Sequence, residues 1–200
     1  RKRRRSIDRP PASGARRNGS GPRALRPRPR SIRRGWSLRP PRLRLRPRRD
    51  RRSDKRLNLY QIQPNLYRSA LPDNEARSML KELGVTTVIN FYQRSDSAWL
   101  HDPKMRQIHL PFHTDRVDDT DVIAALRSIR QSQALGSVLI HCKHGQNRTG
   151  LIAALYRIVY QGWSKEQALA EMRGGGFGGE QRLDDAERYL QQVDIEQLKI

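Results

Sequence analysis

Cysteine is nearly absent from this 200-residue chain, which contains a single such residue, Cys142. An intramolecular disulfide is therefore excluded, and cysteine usage carries no sign of an oxidising compartment. The five histidines and the one cysteine show no metal-ligand spacing. We therefore expect neither a metal ion nor another cofactor.

Long apolar runs are also missing from the sequence. No stretch approaches the roughly 20 apolar residues that a membrane-spanning helix needs. No apolar core of roughly seven residues marks a secretory signal either. The compartment is thus undetermined, and we expect a cytoplasmic location if the basic N-terminal segment belongs to the mature protein.

Acidic residues are scarce in residues 1–56, which hold three of the 20 acids but 24 of the 41 basic residues. The rest of the chain carries 17 of each, so the whole excess charge of +21 lies in this segment. Eight of the 12 prolines lie there too, and such a segment buries too little apolar surface to offset its ordering entropy. We predict a disordered tail over residues 1–56 and one domain over residues 57–200.

The tail has two interpretations. Its charge is typical of an arm that contacts nucleic acid or an anionic membrane surface. The alternative is a solvated tail without a specific role, which the monotony of Arg and Pro favours.

Within residues 57–200, strand-like and helix-like segments alternate along the chain. This alternation predicts an α/β fold with a central, mainly parallel sheet flanked by helices. Ligands bind such sheets at the carboxyl ends of the strands. We predict a short strand and a turn at residues 65–72, and further strands at residues 85–91, 105–110 and 137–140. We predict helices at residues 73–84, 118–134, 151–159, 165–172 and 183–193.

The segment from His141 to Gly150 follows the last predicted strand and leads into an apolar helical run. Loop amides and the first helical N–H groups then point at one spot, where the helix dipole adds positive charge. That field favours the thiolate form of Cys142. Arg148 supplies a planar fork for two phosphate oxygens, and Gly145 permits a tight turn.

His141-Cys142, five intervening residues and Arg148-Thr149 together resemble the signature of the cysteine-dependent protein tyrosine phosphatase superfamily. The resemblance implies that Cys142 attacks phosphorus and forms a phosphocysteine, which water then hydrolyses. It also implies that Arg148 binds the phosphoryl group, that Thr149 stabilises the leaving thiolate, and that His141 orients the loop and tunes Cys142. An inert buried thiol would explain neither Arg148 nor the glycines. The phosphate-binding loop would comprise Lys143, His144, Gly145, Gln146 and Asn147.

Residues 66–72, 110–111, 115–119 and 161–163 add a narrower resemblance, to small bacterial dual-specificity tyrosine phosphatases of the TpbA type. It covers about residues 57–195 and implies a phosphotyrosine phosphatase-like fold. Members of that group are commonly periplasmic, whereas this tail lacks a visible signal.

The reaction needs a proton donor for the departing oxygen, and three aspartates follow the third predicted strand. Asp118 and Asp119 stand where acids favour the N-terminus of the next helix. Asp115 lies in the middle of the loop and matches the position of the general acid in the family. We therefore assign the general acid to Asp115.

Two features permit more than one interpretation. Lys143 and His144 either add positive potential over the pocket or point to solvent. The glycine run around Phe177 is either a mobile flap over the site or a loop between two helices.

The leading functional hypothesis is a monomeric phosphatase acting on a phosphorylated protein, at phosphotyrosine and also at phosphoserine or phosphothreonine. The loop is similar to those of metazoan RNA 5′-triphosphatases too, and Lys143 is typical of phosphoinositide phosphatases. A non-catalytic phosphopeptide-binding module is a third alternative. The presence of Cys142, Arg148 and Asp115 argues against it, since a binding module needs no nucleophile.

Overall fold

The computed structural model describes residues 57–178 and 183–199, and the tail predicted over residues 1–56 lies outside them. The described part contains five strands: β1 (Tyr60–Gln63), β2 (Leu66–Ser69), β3 (Val85–Asn90), β4 (Arg106–His109) and β5 (Ser137–His141). They form one sheet in the order β1-β2-β5-β3-β4.

The sheet is mainly parallel, as the sequence predicts. Strand β5 runs parallel to both β2 and β3, and β3 runs parallel to β4, whereas β1 is antiparallel to β2. The sequence analysis missed β1 because this short edge strand buries only Ile62 and has no apolar pattern.

The predicted helices are confirmed, with shifted ends. The largest shift is in the helix after Cys142, which begins at Asn147 instead of residue 151 because polar residues of the motif form its first turn. None of the described helices is both long and apolar enough to cross a membrane. The helices are α1 (Ala76–Glu82), α2 (Asp119–Gln133), α3 (Asn147–Gln161), α4 (Lys165–Gly174) and α5 (Asp184–Gln192), with 3₁₀ turns at Asp96–Ala98 and Glu196–Leu198.

The two faces of the sheet belong to different apolar clusters. Val138 and Ile140 lie in the larger cluster, which also takes buried side chains from α2, α3, α4 and α5. Leu139 lies in the smaller cluster with Leu80 of α1 and with Trp99. Successive strand residues face opposite sides, so β5 is covered on both faces. The motif that follows β5 therefore starts from a firmly packed strand.

Candidate active site

Cys142 lies directly after β5 and is 2% exposed. The loop 143–146 connects it to the N-terminus of α3, a helix of 15 residues. Such a terminus presents N–H groups and partial positive charge to whatever lies in front of it. The structure thus places the thiol at the start of a turn that leads into a helix N-terminus, a position suited to an anion.

Contacts from outside the turn hold its backbone. Leu71 N donates to the carbonyl of residue 143 at 3.2 Å, and Asn58 Nδ2 donates to that of residue 144 at 3.1 Å. The guanidinium of Arg68 donates to the carbonyl of residue 145 at 2.7 Å. A trans peptide places its C=O and N–H on opposite sides. The N–H groups of residues 144–146 therefore point away from these partners, toward the inside of the turn.

Gly145 has no room for a side chain. Its φ is +71°, and a Cβ atom there would lie 2.6 Å from backbone atoms of both Ser69 and Ala70. The left-handed conformation and the contact with β2 both require glycine. The turn is therefore packed against the end of the neighbouring strand.

Arg68 is a buried cation behind the turn, and the sequence analysis gave it no role. It is 2% exposed, and its guanidinium carbon lies 3.8 Å from the centroid of the Phe177 ring. Burial lowers the pKa of Arg68 to about 10. The nearby Glu171 and Cys142 act in the opposite direction and raise the pKa. Arg68 therefore stays charged at neutral pH and supports the turn with a cation.

The glycine run packs against the turn at Phe177. The Phe177 ring is buried and meets Tyr60 edge-on at 4.7 Å, and its carbonyl accepts a hydrogen bond from Asn58 at 2.8 Å. A Cβ atom on Gly178 would lie 2.6 Å from Nε2 of Gln146. These contacts place Phe177 against the turn.

His141 is fully buried and is held by a carboxylate that the sequence analysis missed. Its Nε2 donates to Asp96 at 2.9 Å, and its Nδ1 lies 3.4 Å from the carbonyl oxygen of Cys142. Asp96 is itself buried and also accepts hydrogen bonds from Trp99 Nε1 at 2.9 Å and Asn90 Nδ2 at 3.1 Å. Because a carboxylate only accepts, it fixes the proton on Nε2 and the orientation of the ring.

Replacing Asp96 with alanine is expected to reduce the free energy of unfolding by about 3 kcal/mol, because three buried donors lose their acceptor. Urea unfolding followed by tryptophan fluorescence measures this loss. Asp102→Ala is the matched control, since Asp102 pairs with the exposed Lys81 at the surface. Equal stability of the two variants would contradict the assigned role of Asp96.

Arg148 is the second residue of α3, and one end of its guanidinium is held by the protein. Its Nη1 donates to the carbonyl of Phe91 at 3.3 Å and to Oε1 of Gln93 at 2.5 Å. The ring of Tyr92 lies 5.4 Å from the guanidinium carbon. The other edge, formed by Nε and Nη2, has the geometry that binds two phosphate oxygens.

The remaining residues of the motif differ in exposure. The hydroxyl of Thr149 is buried and has no hydrogen-bond partner among the described residues. Lys143 and His144 are exposed, whereas Gln146 and Asn147 are half-buried. The structure therefore brings the loop residues together around one turn, with Lys143 and His144 at the surface.

The three candidate acids have different surroundings. Asp118 caps α2 in a reciprocal capping box with Asp121. Asp119 accepts a hydrogen bond of 2.6 Å from Tyr189, whose pKa is raised by burial and then by this contact. The Asp115 carboxyl is 60% exposed and pairs with Arg116 at 4.0 Å.

Asp118 and Asp119 are thus engaged in structural contacts. Among the described residues, the Asp115 carboxyl forms neither a hydrogen bond nor an ion pair with Cys142 or Arg148. In the described structure Asp115 is therefore not joined to the turn by either kind of contact.

Known proteins match this chain over the region just described. The family described as dual specificity phosphatase, catalytic domain, matches residues 66–177. The dual specificity protein phosphatase TpbA of Pseudomonas aeruginosa is 48% identical over 147 residues, which make up 74% of this chain and 67% of TpbA. A crystal structure of that protein has a TM-score of 0.71 and 48% identity, and the match covers 74% of this chain and 91% of the solved chain. A second structure, of a variant of TpbA in complex with phosphotyrosine, has a TM-score of 0.70, with the same identity and coverage.

Proposed function

The chain belongs to the dual-specificity phosphatase family, and from this membership and its site we propose that it hydrolyses phosphotyrosine in proteins through a phosphocysteine. The observation that carries the proposal is the single turn between β5 and α3. It combines a buried thiol, inward N–H groups and an arginine that is held by the protein through Nη1 and whose Nε–Nη2 edge matches a phosphoryl group. Phosphoserine and phosphothreonine are further substrates of the same chemistry.

In the first step, the Cys142 thiolate attacks phosphorus while the bond from phosphorus to the phenolic oxygen breaks. Asp115 donates its proton to that oxygen, so neutral tyrosine leaves. The N–H groups of the turn and the Nε–Nη2 edge of Arg148 stabilise the charge on the three phosphoryl oxygens. The product of this step is a phosphocysteine on Cys142.

In the second step, water attacks phosphorus and the bond from phosphorus to sulfur breaks. The Asp115 carboxylate takes a proton from the water as it attacks, which regenerates the acid. The buried hydroxyl of Thr149 has no hydrogen-bond partner in the described structure, so it is available to donate to the departing thiolate. Inorganic phosphate then leaves.

Asp115→Asn is expected to lower kcat/KM by about 10²- to 10³-fold for phenyl phosphate, whose phenolate is a poor leaving group. The loss is smaller for 4-nitrophenyl phosphate, because a more acidic phenol leaves without a proton donor. Steady-state kinetics on both substrates measures the difference.

Asp118→Asn and Asp119→Asn are the matched controls, since Asp118 caps α2 and Asp119 accepts a hydrogen bond from Tyr189. Their effects on the two substrates should be equal. If either control, instead of Asp115→Asn, shows the dependence on the leaving group, the general acid is misassigned.

A substrate panel on the full chain tests the substrate class. It comprises phosphotyrosine and phosphothreonine peptides, a phosphoinositide and a 5′-triphosphate RNA. The proposal expects the highest kcat/KM on the phosphotyrosine peptide. A higher kcat/KM on the RNA or the phosphoinositide would replace the proposed substrate while leaving the chemistry of Cys142 intact.

A further inference from the structure

Gln93 joins two parts of the site that are distant in the sequence. Its Oε1 accepts a hydrogen bond of 2.5 Å from Nη1 of Arg148, in the first turn of α3. Its Nε2 donates a hydrogen bond of 2.9 Å to the carbonyl of Phe112. Phe112 lies three residues before Asp115, in the connection between β4 and α2. One amide group therefore bridges the phosphate-binding arginine and the segment that leads to the general acid.

The chemistry of the two partners determines the orientation of this amide. A guanidinium only donates hydrogen bonds, so it must face the amide oxygen. A backbone carbonyl only accepts, so it must face the amide nitrogen. Glutamate at this position could accept from Arg148 but could not donate to Phe112, and a hydrocarbon side chain could do neither. The site thus uses both functions of a glutamine.

Other contacts tie the same two segments together. His109 Nε2 lies 2.7 Å from the carbonyl of Tyr92, and the rings of Phe91 and Phe112 lie 5.6 Å apart. The carbonyl of Phe91 is itself an acceptor for Arg148. Residues 91–93 and 109–112 therefore form one connected unit around the guanidinium. Beyond this unit, Asp115 is exposed, and its carboxyl pairs with Arg116 of the same loop at 4.0 Å.

We propose that Gln93 is a positioning residue that couples the guanidinium of Arg148 to the loop carrying Asp115. This inference rests on the proposed function. A phosphoryl group bound at the Nε–Nη2 edge fixes the guanidinium plane, and with it the direction of the Nη1 bonds. Gln93 transmits that restraint to the Phe112 carbonyl, which restrains the loop leading to Asp115. Anion binding and placement of the proton donor are thereby linked.

A kinetic test uses Gln93→Met, which keeps the length of the side chain but removes both hydrogen bonds. The variant is expected to lower kcat/KM for phenyl phosphate by about 10- to 100-fold, as a misplaced catalytic group does. The loss for 4-nitrophenyl phosphate is smaller. Gln107→Met is the matched control, because Gln107, on β4, donates to the carbonyl of Leu100, whereas the described contacts of the Arg148 guanidinium are with residues 91–93. Gln107→Met is expected to keep wild-type kinetics on both substrates.

A double variant separates the coupling from a general loss of activity. In the Asp115→Asn background, Gln93→Met should lower the rates on the two substrates equally, because the proton donor is already absent. If Gln93→Met discriminates between the substrates just as strongly without Asp115, the coupling is refuted. The coupling is also refuted if Gln93→Met alone lowers kcat/KM equally for phenyl phosphate and 4-nitrophenyl phosphate.

Hydrogen–deuterium exchange tests the same link without relying on Asp115 as the acid. Inorganic phosphate is expected to slow amide exchange in residues 112–118 of the wild-type protein and of Gln107→Met, but not of Gln93→Met. Unchanged exchange in the wild-type loop on adding phosphate overturns the inference. If Asp115→Asn shows no dependence on the leaving group while this protection persists, the acid assignment fails and the Gln93 link stands.

Discussion

Replacing Cys142 with serine is expected to abolish phosphotyrosine hydrolysis, with kcat falling by about 10⁵-fold or more, as for other nucleophiles that act as part of a unit. A serine hydroxyl at this position is not ionised, so the first bond to phosphorus does not form. The N-terminus of α3 and the buried cation Arg68 are present in both proteins, but a hydroxyl releases its proton far less readily than a thiol. Initial rates on a phosphotyrosine peptide measure the loss.

The serine variant should still bind the peptide, because the turn and Arg148 remain in place. Isothermal titration calorimetry measures this binding, and circular dichroism checks the fold. Acid quenching of the wild-type reaction should trap the phosphocysteine. Mass spectrometry of the digested protein should then detect phosphate on the fragment that contains Cys142. Turnover that survives in the serine variant would eliminate Cys142 as the nucleophile.

Replacing Arg148 with lysine is expected to lower kcat/KM on the same peptide by about 10²- to 10³-fold, comparable to losing a preorganised donor in other enzymes. Lysine keeps the positive charge but cannot hold two phosphoryl oxygens while also donating to Phe91 and Gln93. The effect should appear in both kcat and KM, because the fork binds the substrate and the transition state.

The matched control is Arg127→Lys, an exposed arginine on α2. It tests whether exchanging any arginine for lysine in this domain changes the kinetics, and it is expected to leave them unchanged. Wild-type kcat/KM in Arg148→Lys would show that charge alone is sufficient and that the fork has no special role.

Much of the fold was predictable because the central strands β3 and β5 are short runs of mostly β-branched and apolar residues, and because apolar residues recur at helical spacing in the helices. The predicted helix at residues 165–172 is preceded by Ser164, which caps α4. The errors occur where local patterns are weak. Strand β1 buries only Ile62. The first helical turn of α3 consists of polar residues of the motif, which give no apolar signal.

The site was only partly predictable from the sequence. The residues from His141 to Thr149 are contiguous, so their order alone indicated a turn between a strand and a helix. Arg68, Gln93 and Asp96 lie 45 or more residues before the groups that they contact in that turn. Nothing in their local sequence reveals such contacts. An aspartate in a polar loop is expected to face solvent, yet Asp96 is buried beneath His141.

The sequence by itself determined the candidate reacting groups, because one stretch of contiguous residues brings a thiol, glycine and arginine to the start of a helix. It also determined the class of fold, since the alternation of strand-like and helix-like segments is visible along the chain itself. Only the tertiary structure decided how those groups are held. The sheet order sets β2 and β3 on either side of β5, which brings Arg68 and the 91–96 segment to its end. Pairing between distant strands depends on the packing of the whole domain, and no short stretch of sequence records it.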